Sequence, residues 1–100
     1  MVTKEEVMSC LEGVVDPEIG INIVDLGLIY DVTIDDDGTV GVKMTLTTPG
    51  CPMHEQIAFA AVRTLRRMDE VRDANVEVVW EPPWTPERLS SRAKVLLGFL

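Results

Sequence analysis

Two alternating runs flank Asp36-Asp37-Gly38 and limit what this chain can fold into. Tyr30, Val32 and Ile34 alternate with Asp31, Thr33 and Asp35. Beyond the glycine, Val40, Val42, Met44 and Leu46 alternate with Gly41, Lys43, Thr45 and Thr47. Period two is the pattern of a strand buried on one face. Asp-Gly between two such runs is a strong hairpin signal. The register puts both apolar sets on one side of a sheet, and the rest of the chain supplies the cover for it.

Thr3 and Glu6 fit a capping box for a first helix from about Lys4 to Val14, with Val7, Cys10, Leu11 and Val14 as its buried stripe. Cys10 belongs to that stripe and reads as a small buried hydrophobe. Asp16-Pro17-Glu18-Ile19-Gly20-Ile21-Asn22 follows as a structured loop: Pro17 pushes Asp16 out of the helical region, and Gly20 and Asn22 suit tight turns. Ile23 to Gly27 fits either a turn or a strand start.

A second helix should run from Pro52 to about Met68 or Asp69, burying Ile57, Ala58, Ala61, Val62, Leu65 and Met68. A third strand is expected over Asn75 to Trp80, with Val76, Val78 and Trp80 on one face. Glu81-Pro82-Pro83-Trp84-Thr85-Pro86 breaks it. Thr85 and Pro86 then restart a helix as N-cap and first residue, with Leu89, Ala93, Leu96 and Leu97 as its apolar face. The order α-β-β-α-β-α predicts an α+β fold, a small mixed three-stranded sheet with helices packed on one face. The strands on either side of the second helix would be parallel, joined by a crossover.

At 100 residues and 46% hydrophobic content, residues 1–100 are expected to form one domain with one core. No apolar run approaches the roughly 20 residues that span a bilayer, and the N-terminus lacks the basic-then-apolar order of a signal peptide. Two cysteines make no disulfide framework. These features predict a cytoplasmic protein. A net charge of −8 argues against nucleic acid, and Arg63, Arg66, Arg67 and Arg72 read as a solvated helix end.

Chemistry centres on Thr47-Thr48-Pro49-Gly50-Cys51-Pro52-Met53-His54-Glu55. Pro52 fits the first helical position, so Cys51 falls at the N-cap, facing unpaired N–H groups and the positive end of the helix dipole. Such surroundings favour thiolate over thiol. Cysteine is an unusual cap, which calls for a reason beyond folding. His54, the one histidine, is a weak candidate metal ligand or thiolate partner and equally a half-buried helix residue. Asp16 and Glu18 are a second candidate cluster. Of the two tryptophans, Trp80 continues the strand's inward alternation into the core, and Trp84 is the interface candidate.

Gly-rich phosphate loops, Cys-x-x-Cys pairs and Ser nucleophile elbows do not occur. An iron–sulfur cluster usually takes about four thiolates, so one chain cannot hold one alone. A second subunit (as in a homodimer), a partner protein or a small thiol would have to complete it.

Three blocks resemble the iron–sulfur cluster assembly domain family of PaaD-like and SufT-like proteins. They are Asp16-Pro17-Glu18-Ile19-Gly20-Ile21-Asn22-Ile23-Val24-Asp25-Leu26-Gly27-Leu28-Ile29-Tyr30, Met44-Thr45-Leu46-Thr47-Thr48-Pro49-Gly50-Cys51-Pro52, and Val78-Val79-Trp80-Glu81-Pro82-Pro83-Trp84-Thr85. The resemblance implies the fold of that domain and a non-enzymatic role in maturing metal–sulfur proteins. It implies a transient cluster or iron bound through Cys51, with Asp16 and Glu18 lining the same cleft. Its partners would be assembly machinery and client apoproteins. No family role carries onto His54. The chain lacks the cysteine-rich tail of PaaD-like proteins and the ATPase fused to some relatives, so it resembles the minimal form. Two other readings stay open: a thiol enzyme for sulfur transfer or peroxide reduction, and a client-binding adaptor in which Cys51 is structural.

Overall fold

The computed structural model describes residues 2–17, 19–46 and 54–98, with the backbone alone at residue 54. Helix α1 spans Lys4–Leu11, and its capping box is formed: Thr3 Oγ1 accepts from the Glu6 N–H and Glu6 Oε1 from the Thr3 N–H, each at 3.1 Å. The helix stops before the expected Val14, because the Gly13 and Val14 N–H groups bond three residues back, to Cys10 and Leu11, and tighten the chain into a turn.

The hairpin forms as the alternation requires. Strands β3 (Ile29–Ile34) and β4 (Thr39–Met44) are antiparallel, with Val32 opposite Val42 and Ile34 opposite Val40, and a bulge between Ile29 and Asp31; Gly38 takes φ +90° at the turn. Helix α2 (His54–Arg66) carries the chain to β5 (Asp73–Val78), parallel to β4, in the order β3-β4-β5. Val32, Val40, Val42, Met44 and Ala74 are buried on one face against Val7 and Leu11 of α1 and Ile57, Ala61 and Leu65 of α2. The other face carries Asp31, Thr33, Gly41, Lys43, Asn75 and Glu77 around a shallow polar trough.

Four expectations change. The loop after α1 contains a two-stranded ribbon, β1 (Val15–Asp16) against β2 (Ile21–Asn22), too short for any periodicity to announce. Strand β5 ends at Val78. Its last support is the Val79 N–H bonded to Met44 O at 2.8 Å, after which β4 offers no further partner; Trp80 is therefore 38% exposed rather than core. Pro86 starts only a 3₁₀ turn, Pro86–Arg88. Leu89 is extended, and helix α3 (Ser91–Leu97) begins after a new cap in which Ser90 Oγ accepts from the Ala93 N–H at 3.1 Å. Leu89 and Ala93 of that segment are buried, but Leu96 and Leu97 face solvent.

Candidate functional site

The site is built around the turn that Asp16 begins. The Asp16 carbonyl accepts from the Ile19 and Gly20 N–H groups at 3.2 and 2.7 Å, and Gly20 supplies the positive φ that brings the chain back. Asp16 itself is 3% exposed, an unusual burial for a carboxylate.

Three backbone hydrogen bonds run from the stem of this turn to the end of β4. Ile23 N–H bonds to Val14 O at 2.9 Å, Leu28 N–H to Ile23 O at 3.1 Å, and Thr45 N–H to Leu28 O at 2.8 Å. Thr45 and Leu46, which lead into the cysteine run, are buried. Thr45 Oγ1 is buried without a hydrogen-bond partner among the described residues. On its other side the Asp16 turn meets the helix that follows the cysteine run. Val15 and Pro17 form a groove of about 190 Å³ with Gln56, Ile57 and Ala60 of α2. The helix flank of the run therefore meets the Asp16 turn directly, and the strand flank is tied to the stem of that turn through Leu28 and Ile23. Cys51, Glu18 and the His54 side chain lie outside the described residues. Among the described residues no cluster of three or more His, Cys, Asp or Glu could hold a metal ion.

Cys10 is the other thiol. It is half-buried between α1 and α2, with Sγ 3.6 Å from Thr64 O, and burial pushes its pKa up from the ordinary thiol value. It packs, as its place in the α1 stripe predicts, and is a poor nucleophile.

The closing block fastens the other end of the opening one. Trp84 Nε1–H donates to Leu26 O at 2.6 Å and Tyr30 O–H to Pro82 O at 2.6 Å. The Arg88 guanidinium lies 4.2 Å from the centroid of the Tyr30 ring. Asn22 Oδ1 accepts from the Val24 and Asp25 N–H groups, and the Asn22 amide donates to Asp25 at 3.0 Å. Arg92 donates to the same Asp25 carboxylate through Nε and Nη2. That hydrogen bond, chiefly, holds the Asp25 carboxyl below the usual carboxylate range. Gly27 is at φ +74°, and a Cβ there would run into the Arg88 backbone. Trp84 is thus half-buried with its indole N–H committed. Among the described residues, the large aromatics left open are Trp80 and, on α2, Phe59 at 66% exposure. Sequence reasoning passes over Phe59, although it stands among polar positions of the α2 pattern.

The family model described as iron-sulfur cluster assembly protein matches residues 4–78, and the chain belongs to that family. The chain is 48% identical over 95 residues to the Fe-S protein maturation auxiliary factor YitW of Bacillus subtilis, covering 95% of this chain and 93% of that one. It is 49% identical over 85 residues to the Fe-S protein maturation auxiliary factor SufT of Staphylococcus aureus, covering 85% and 97%. The crystal structure of a domain of unknown function from Bacillus anthracis superposes with a TM-score of 0.92 at 44% identity, over 97% of this chain and 92% of that one. The α+β fold is that of this family.

Proposed function

We propose that this protein is an auxiliary factor in iron–sulfur cluster assembly or delivery, with Cys51 as a transient ligand or docking thiol. The observation that carries the reading is that α2, which follows the cysteine run, forms a groove with Val15 and Pro17 of the Asp16 turn, while the strand end that leads into the run is tied through Leu28 and Ile23 to Val14 at the stem of that turn. The names of its relatives, maturation auxiliary factors, support the same role.

In this reading Asp16 and Glu18 line the cleft that receives the cluster, and His54 is at most an accessory ligand. The cluster or iron is cargo, completed by a partner protein, a second subunit or a small thiol, because one thiolate does not satisfy it. The protein turns over no substrate. It meets assembly machinery on one side and apoprotein clients on the other, in the cytoplasm, and none of the helices among the described residues is long and apolar enough to cross a membrane.

Anaerobic reconstitution tests the ligand role. Wild type with iron, sulfide, glutathione and candidate partners should take up iron and sulfide, and Cys51→Ala should lose most of that uptake. Equal, low uptake by both proteins would remove Cys51 as a ligand.

A further inference from the structure

Helix α2 carries Glu55, Phe59 and Arg63 four residues apart, so the three side chains form one ridge along the helix. All three are exposed, and with Gln56 and Ala60 they line an open hollow of about 510 Å³. A bare phenylalanine between a carboxylate and a guanidinium is a costly way to solvate a helix. The Arg63 guanidinium stands 5.9 Å from the Phe59 ring centroid, near the outer limit of a cation–π contact, and leaves the ring largely open.

We propose that this ridge is a self-complementary face through which two copies of the chain associate, their α2 helices antiparallel about a two-fold axis at Phe59. A two-fold contact pairs each residue with its symmetry-related position in the partner. Centred on Phe59, it sets Glu55 of one copy against Arg63 of the other, twice, and stacks the two rings at the axis. Ala60, beside Phe59, is small enough to leave room for the partner's ring. A parallel pairing would set Glu55 on Glu55 and Arg63 on Arg63, so the charges choose the direction. Antiparallel helix dipoles agree with that choice.

The face also suits the charge balance of the whole chain. Copies carrying −8 each repel one another, and the α2 ridge offers an available cation to offset this: Arg66 is tied to Asp73 at 3.0 Å, whereas Arg63 makes no ion pair among the described residues. The apolar surface continues past Gln56 and Ala60 to Val15, 49% exposed, and Pro17. A contact on one helix face lies at the weak end of the protein–protein range, so self-association appears only as concentration rises. The proposal stands on the ridge alone and does not depend on the cluster role.

Sedimentation velocity from about 10 µM to about 1 mM reads it directly. Wild type should pass from monomer to dimer over that range. A two-fold contact applies each substitution twice, so Glu55→Arg and Arg63→Glu should each weaken association by at least about tenfold. An equimolar mixture of the two variants should recover a heterodimer, because positions 55 and 63 then carry positive charge throughout one copy and negative charge throughout the other. Phe59→Ser should be monomeric throughout. Circular dichroism should match wild type in all of them, since the three side chains are exposed. Wild type that stays monomeric at every concentration, single variants that dimerise as wild type does, or a mixture that fails to recover would each overturn the proposal.

Discussion

Around residues 22–30, side chains are committed to holding the chain. Trp84, Tyr30, Arg88 and Arg92 each reach a partner more than fifty positions away, and Asn22 and Asp25 close the turn that receives them. Around the Asp16 turn and the outer ridge of α2, groups stay uncommitted: Thr45 Oγ1 has no partner among the described residues, and Val15 and Phe59 stand in solvent. The first region behaves as a clasp that holds the platform. The second leaves its groups open among the described residues. Native proteins mostly satisfy buried polar groups and rarely leave large apolar patches bare, so the second region is the one that the proposed role would use.

If the clasp holds the platform, its tightest point should be the most costly to disturb. Gly27→Ala forces a side chain into a left-handed backbone and onto the Arg88 carbonyl, whose carbon would lie 2.7 Å from the added methyl. We expect a loss of about 3 kcal/mol, read as a lower urea midpoint with an unchanged slope. Trp84→Phe keeps most of the apolar body but removes the donor to Leu26 O, and should cost about 1–2 kcal/mol in the same assay.

The uncommitted side should respond in the opposite sense. Thr45→Val replaces a buried hydroxyl that has no partner among the described residues by a methyl of similar shape and should gain about 1 kcal/mol while reducing cluster uptake. A loss of stability there would show the hydroxyl to be part of the scaffold and would break the contrast.

The smallest effect lies at the solvent edge of the clasp. The Asp25 carboxyl is depressed by Arg92, so its contribution is present above the unfolded carboxylate pKa of about 3.9 and is lost as pH falls through the lower folded value. Asp25→Asn should therefore be less stable than wild type near neutral pH and converge with it in acid, in pH-resolved urea melts. Arg92 is well exposed, so solvent screening keeps the difference small.

What can be read ahead of the fold is local. The capping box joins Thr3 to Glu6, three positions apart. The Asp-Gly turn joins neighbouring strands, and Ile57, Ala61 and Leu65 bury through the helical period alone. Alternation misplaces Trp80 because it runs past the point where β4 stops offering a partner. Thr85-Pro86 misplaces the start of α3 because it is a sound helix opening that Leu89 then ends. The clasp is not legible at all: its pairs are separated by 52, 58 and 67 residues, and nothing in the spacing of Tyr30, Leu26 or Asp25 names Pro82, Trp84 or Arg92.

For the candidate site, Asp16 is legible as a turn carboxylate but its burial is not. The cysteine run stands out in the sequence as the proposed chemical centre, whereas the meeting of α2 with the Asp16 turn is a tertiary fact. Residue order was enough for the α+β class, the hairpin register and the buried residues of α1 and α2, because periodicity and caps act over a few residues. Which tryptophan faces water, where Asp16 sits and which helix face stays bare were set by the assembled fold. Those depend on distant segments competing for the same surface, and that competition is settled by packing.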